Sequence, residues 1–170
     1  MDSERSLVAK KNFDKFLKEG LIKKIKFESI IFNRFSTNSL ESLKTANLLF
    51  STGTSYLWTV VISYYAMFYI ASAYIYKRGY KAGHKIVHKV INDALIVLAK
   101  NKIAEQIIIE YEEEKEKALF IAEQKLNNYE FERAKRSSFQ YTMTEEIKKS
   151  KAQTSLNRAK EFVALFRKLN

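Results

Sequence analysis

The sequence predicts an all-α fold, an up-and-down bundle of four to five helices. Three observations lead there. Residues 45–76 form a run of thirty-two positions without a charged side chain, bounded by Lys44 and Lys77. Elsewhere, apolar residues recur at three- and four-residue spacing, the period of one helix face. The 170-residue chain also has no proline, and its four glycines fall between the periodic segments. No period-2 strand pattern, hairpin turn or internal repeat appears.

Taken in order, a first short helix opens near Ser3, a residue suited to an N-cap, and closes at Gly20. Residues 21–37 are the least regular: Leu21 to Phe32 fit a strand, a helix or an arm equally. A second helix is expected to open at the capping-box pair Asn38 and Glu41, to show Leu40, Leu43, Asn47 and Phe50 on one face, and to close at Gly53. The uncharged helix follows and closes at Gly79. Gly83 opens the next, with Val87, Ile91, Ala94 and Leu98 on one stripe. From Lys102 to Gln140 the pattern is helical again, with Leu119, Ala122, Leu126 and Tyr129 in line and Arg133 and Arg136 extending that line. The acidic cluster Glu112–Glu116 is expected on a solvated face near a bend, since consecutive carboxylates on a helix make a poor metal site. Thr142 and Glu145 form a second capping box. It opens a last helix with Leu156, Ala159, Phe162, Val163, Phe166 and Leu169 inward.

The uncharged run is long enough to cross a bilayer, because Tyr56 to Tyr76 is twenty-one residues. Its composition argues for a protein interior instead. Six tyrosines (Tyr56, Tyr64, Tyr65, Tyr69, Tyr74 and Tyr76) and Thr59, Ser63 and Ser72 are spread around it. A hydroxyl facing lipid near the midplane would lack a partner, at a cost of about a few kcal/mol. Polar groups on every side fit a central helix wrapped by other helices.

Lys and Arg number 30 against 19 Asp and Glu, a net charge of +11 spread along the chain. Such a surface favours polyanions, and it equally describes a lysine-rich solubilising surface. With no cysteine there are no disulfides and no thiolate metal sites. Residues 1–20 alternate charged and apolar groups, unlike a secretory signal. A cytoplasmic location is the expectation.

The usual catalytic motifs are missing. There is no phosphate-binding glycine loop, His-Glu-x-x-His or nucleophile elbow. The two histidines, His84 and His88, stand four apart and so are expected on one helix face. No further ligands have metal-site spacing, and neither a metal nor another cofactor is expected. A polar pair or an anion contact at the helix start fits better. Arg136, at the end of an apolar stripe, needs an acceptor. It suits either a salt bridge to a neighbouring glutamate or a phosphate clamp.

The run Ser63-Tyr64-Tyr65-Ala66-Met67-Phe68-Tyr69, followed by Ala71, Ala73, Lys77-Arg78-Gly79 and His84, resembles the central helix pair of HEPN domains (higher eukaryotes and prokaryotes nucleotide-binding). The tail, Arg136-Ser-Ser-Phe-Gln-Tyr141 and then Ala159 to Val163, resembles the small prokaryotic branch of that family. The resemblance covers about residues 38–169. The expected organisation is therefore an N-terminal helix and irregular arm over 1–37 and a HEPN-like bundle over 38–170. The resemblance implies a homodimer that binds nucleotide or RNA phosphate, beside a minimal nucleotidyltransferase partner in a toxin–antitoxin or defence-type system. Active members are metal-independent ribonucleases carrying arginine, four to six residues, then histidine. Here Arg136 is followed by Tyr141, and tyrosine, with a pKa of about 10, is poorly suited to acid–base work near neutrality. Arg78 and His84 have that spacing, but they lie between the second and third bundle helices. The expected ligand-binding set is Arg136, Tyr141, His84, Tyr64, Arg133 and His88, with Arg136, Tyr141 and His84 also the catalytic candidates. A ribonuclease using His84 and a non-catalytic helical adaptor are the alternatives.

Overall fold

The computed structural model describes residues 3–99, 103–131 and 145–170. In chain order these form α1 (Ser3–Lys18), β1 (Ile22–Lys24), α2 (Ser29–Ser51), α3 (Tyr56–Lys77), β2 (Tyr80–Ala82), α4 (Val87–Ala99), α5 (Glu105–Phe131) and α6 (Glu145–Leu169). The all-α bundle of the sequence reading is what the chain adopts.

The uncharged run becomes α3, the axis of the bundle. Ser55 caps it by accepting a hydrogen bond from the Trp58 amide at 3.3 Å. Gly79, at φ +83°, ends it and donates its amide to Tyr76 O at 2.9 Å. Fifteen of its 22 residues are buried, so α3 lies inside protein on nearly every side. It is also the one helix among the described residues long and apolar enough to span a membrane, and its apolar window is 78% buried within the bundle.

α2 runs antiparallel to α3 and touches it through small residues. Ser39 and Ala46 are its buried positions, and Ser39 Oγ donates to Ala66 O at 2.7 Å. The helix starts nine residues earlier than expected, at Ser29 rather than Asn38. Asn38 is therefore interior helix and its capping box does not form. The proposed division at 37/38 runs through the middle of α2, and residues before it reach the core: Phe13, Phe16 and Ile22 share one cluster with Tyr64, Leu95 and Phe162.

The irregular stretch contributes a strand, an arm and a helix start. β1 pairs with β2 antiparallel, with Ile22, Lys23 and Lys24 opposite Ala82, Lys81 and Tyr80. Three-residue strands are too short to show a period, so the sequence left strand, helix and arm open over residues 21–32. β2 carries the chain back alongside the C-terminal half of α3. As a result α4 lies parallel to α3, with His88 beside Tyr64 and the Leu98 carbonyl accepting from Tyr74 Oη. The remaining neighbours alternate: α5 runs antiparallel to α4, and α6 antiparallel to α5, pairing Tyr111 with Phe162 and Glu113 with Arg158.

α5 passes straight through the acidic cluster without a bend. Its buried line is Ile108, Tyr111, Glu114 and Ala118, because one side of the helix faces α4 and α6 at that period. Glu114 is therefore inside, 0% exposed, and not on a solvated face. It accepts from Arg158 Nη1 and Lys117 Nζ, each at 2.9 Å, and from Ser155 Oγ. Glu112 is held by Arg5 and by Asn92 Nδ2.

Candidate functional site

The most built-up polar position near the predicted residues is His88, in the first turn of α4. Its ring lies among Phe68, Tyr64 and Tyr65 of α3, with centroids at 4.8, 5.6 and 6.0 Å. Its Nδ1 is 2.7 Å from Tyr64 Oη. This contact exists because α4 runs parallel to α3 and starts about two turns into it; the two residues are 24 apart in sequence.

The protonation logic follows from burial. The Tyr64 side chain is 0% exposed. Burial, then the neighbouring Tyr111, push its phenol well above the ordinary tyrosine value. Burial likewise raises Tyr111. Both phenols keep their protons, and the Tyr64 proton needs an acceptor. His88 is held below the usual histidine range by burial and then by the Lys115 ammonium. A neutral imidazole is thus favoured; where Tyr64 donates to Nδ1, the imidazole proton sits on Nε2. Nε2 has no hydrogen bond to a described residue, and His88 is half-buried.

The pair is braced by a column of rings. Tyr64 lies against Tyr111 at 5.8 Å, Tyr111 stacks on Phe162 at 5.2 Å, and Phe162 stacks on Phe166 at 4.4 Å. Tyr74 meets Phe166 edge-on at 4.9 Å. The column ties α4 through α3 and α5 to α6. The Tyr111 hydroxyl is buried without a hydrogen-bond partner among the described residues.

The other predicted residues are placed differently. His84 is exposed in the turn before α4 and does not share a helix face with His88. Ile86, at φ +44°, interrupts the path, and the helix begins at Val87. Arg78 folds back on α3: Nη1 donates to Tyr74 O at 2.9 Å and the guanidinium lies 3.2 Å from the centre of the Tyr74 ring. It acts as a helix end-cap, and its contacts are to Tyr74 and not to His84. Arg133, Arg136 and Tyr141 lie outside the described residues. Among the described residues, no cluster of three His, Asp or Glu is placed to hold a metal. A shallow groove of about 490 Å³ between α2 and α6, lined by Leu40, Leu43, Lys44, Asn47, Lys160 and Arg167, contains none of the predicted site residues.

Beside His88, a polar set fixes α1 to α4. Asn12 Nδ2 donates to Asp93 Oδ2 at 2.9 Å. Asp93 is raised above the usual carboxyl range by burial, opposed by its bonds to Asn12 and Asn92 and by Lys89 and Lys115. Sequence reading missed Tyr111, Lys115 and Asp93 because each reads as an ordinary helical position.

A family model for the HEPN domain matches residues 33–169. The chain belongs to the HEPN family. The match spans α2 through α6 and leaves α1 and β1 outside the family domain. No curated protein and no solved structure matches the chain. Membership gives a nucleotide- or RNA-related function, and the His88 cluster lies inside the matched region.

Proposed function

We propose that this HEPN protein binds nucleotide or RNA phosphate at the face where α4 starts against α3. The observation that carries the reading is the Tyr64–His88 pair, 2.7 Å apart and half-buried within the family domain. A neutral imidazole fixed at Nδ1 presents Nε2–H as an oriented donor, which suits a phosphate oxygen or a base carbonyl. Tyr65 and Tyr69, half-buried on α3 beside it, offer ring surface to a base. In this proposal Arg136 clamps the phosphate and Tyr141 orients the ligand. In the same proposal the protein is a homodimer and works beside a minimal nucleotidyltransferase in a toxin–antitoxin or defence-type system.

The geometry favours binding over cleavage. A histidine whose Nδ1 is occupied by a phenol donor, and whose burial disfavours the imidazolium, is poorly set to shuttle protons. The test mixes the purified chain with AMP and with total RNA, with and without chelator, and follows binding and cleavage together. Binding that is lost in His88→Ala and Arg136→Ala, without cleavage, is the expected result. Chelator-resistant cleavage that survives His88→Ala and is lost in His84→Ala would replace this reading with the ribonuclease one.

A further inference from the structure

The β1–β2 ribbon carries a charge arrangement that strand pairing alone disfavours. The register sets Lys23 directly opposite Lys81, and both are exposed. Directly opposite side chains start about 4.5–5.5 Å apart, and like charges there destabilise the pair. Glu19 and Glu28 flank the first strand, and Glu19 pairs with Lys15. Residues 20–27 and 77–92 contain no Asp or Glu. Among the described residues Lys23, Lys24, Lys26, Lys81 and Lys85 form no ion pair.

These cations surround the ribbon: strand alternation puts Lys23 and Lys81 on its outward face and Lys24 on the other. The Ile25 amide donates to Gly79 O at 2.9 Å and the Gly83 amide to Leu21 O at 2.8 Å, which extends the ladder beyond both strands. From the level of Ile25 to that of Leu21 the ribbon covers roughly 13 Å. Lys24, Lys26 and Lys77 stand towards the α3 end, Lys23 and Lys81 in the middle, and His84 and Lys85 beyond the other end. Three residues after Lys85 the chain reaches His88.

We propose that this ribbon holds the sugar–phosphate backbone of single-stranded RNA and leads it to His88. The inference rests on the reading above and narrows it: the ligand is a polynucleotide, of which one nucleotide sits at His88. A strand of phosphates supplies the anions that Lys23 and Lys81 lack. Single-stranded RNA is favoured over duplex because Tyr65 and Tyr69 can stack only on an unpaired base. RNA is favoured over an anionic membrane because the Tyr65 and Tyr69 rings beside His88 offer stacking surface to a base; Phe27 and Ile86 are exposed beyond the two ends of the ribbon, so the membrane is kept as an arm of the test.

The experiment uses the full chain, a labelled 20-nucleotide single-stranded RNA, AMP, and phosphatidylserine vesicles, with the double variant Lys23→Gln/Lys81→Gln and the single variant His88→Ala. Removal of two phosphate contacts makes the salt dependence of RNA binding shallower by about 1.4, at about 0.7 per contact. The expected result is that loss together with unchanged AMP binding and a Tm at or above wild type, since the like-charge pair is gone. Unchanged RNA affinity and salt slope in the double variant would overturn the proposal. If His88→Ala still loses AMP and RNA in that case, the site reading survives and only the ribbon falls. Wild-type protein that binds neither AMP nor RNA sinks both. Vesicle binding lost in the double variant, with RNA binding intact, would assign the ribbon to lipid and overturn the proposal.

Discussion

Tyr64→Phe isolates the feature on which the functional reading depends. The substitution removes one oxygen and leaves a ring of the same shape in a site that is 0% exposed, so the aromatic column keeps its packing. What is lost is the 2.7 Å bond to His88 Nδ1. A typical hydrogen bond of this kind contributes about 1 kcal/mol net, and an unsatisfied buried acceptor costs about 1–3 kcal/mol. His88 is half-buried, so water relieves part of that penalty and the lower end applies, about 1 kcal/mol. The bond also favours the neutral imidazole, which accepts it, over the imidazolium, which cannot. Its loss therefore raises the proton affinity of His88 by roughly fivefold, since 1.36 kcal/mol is tenfold. Proton NMR titration of the ring resonances reads this directly, because the chain has just two histidines and His84 lies outside the pair. The result that refutes the reasoning is a His88 titration unmoved, or moved to lower pH, in Tyr64→Phe. Either would mean that Tyr64 accepts from Nδ1–H, and that Nε2 is an acceptor and a potential base.

Three further outcomes are expected. Glu114→Ala should destabilise by about 3 kcal/mol in urea unfolding, because it removes the acceptor shared by Arg158, Lys117 and Ser155. Glu114→Leu should cost less, since leucine fills the buried volume that alanine leaves empty, while Arg158 keeps Glu113 in both variants; equal losses would contradict this. Gly79→Ala should cost about 1–2 kcal/mol from its φ of +83° alone, because the nearest atom to the added Cβ, Ile25 O, is 3.8 Å away. Stability should fall as pH drops below about 6.5, because His88, depressed in the folded state, binds its proton more readily when unfolded. Asp93, raised in the folded state, has the opposite sign: its contribution is present at low pH and lost as pH rises through its folded value. The acid-side loss should shrink in His88→Gln, and a denaturation series from pH 5 to 8 checks it.

The helices were legible where one physical signal dominated. α3 could be read from its lack of charge, and α6 from Leu156, Ala159, Phe162, Val163 and Phe166, which are all buried as the spacing indicated. The start of α2 was not legible. Its N-cap, Glu28, makes no side-chain cap bond, so the capping-box pattern further on was a stronger local signal than the real end. Glu114 was hidden by its neighbours. Three other glutamates within two positions made the segment look solvated, and only the placement of Ser155 and Arg158 across on α6 shows which one is buried. The Tyr64–His88 pair depends on β2 returning the chain so that α3 and α4 run parallel. β2 in turn needs β1, sixty residues away at the Ile22–Ala82 rung. No local pattern encodes a contact made that way, although both residues had been singled out by type.

The same return strand explains why the site faces the ribbon. Five residues separate Ala82 from His88, and within them lie the exposed turn with His84 and Lys85 and the positive-φ residue Ile86. A β-branched residue rarely adopts that backbone, and it persists only where surrounding structure holds it. Here the ladder fixes one side of the turn through Gly83 and Leu21, and the Tyr64 bond fixes the other. α1 reinforces both ends: Phe13 packs edge-on against Tyr80 at 5.3 Å, and Asn12 holds Asp93. The elements that precede the family match, α1 and β1, thus brace the strand and helix that present His88. Deleting residues 1–24 should therefore weaken ligand binding at His88 even though none of them belongs to the matched domain. Binding by the truncated chain at wild-type strength, with its helical content intact, would show that the HEPN bundle sets the His88 turn unaided.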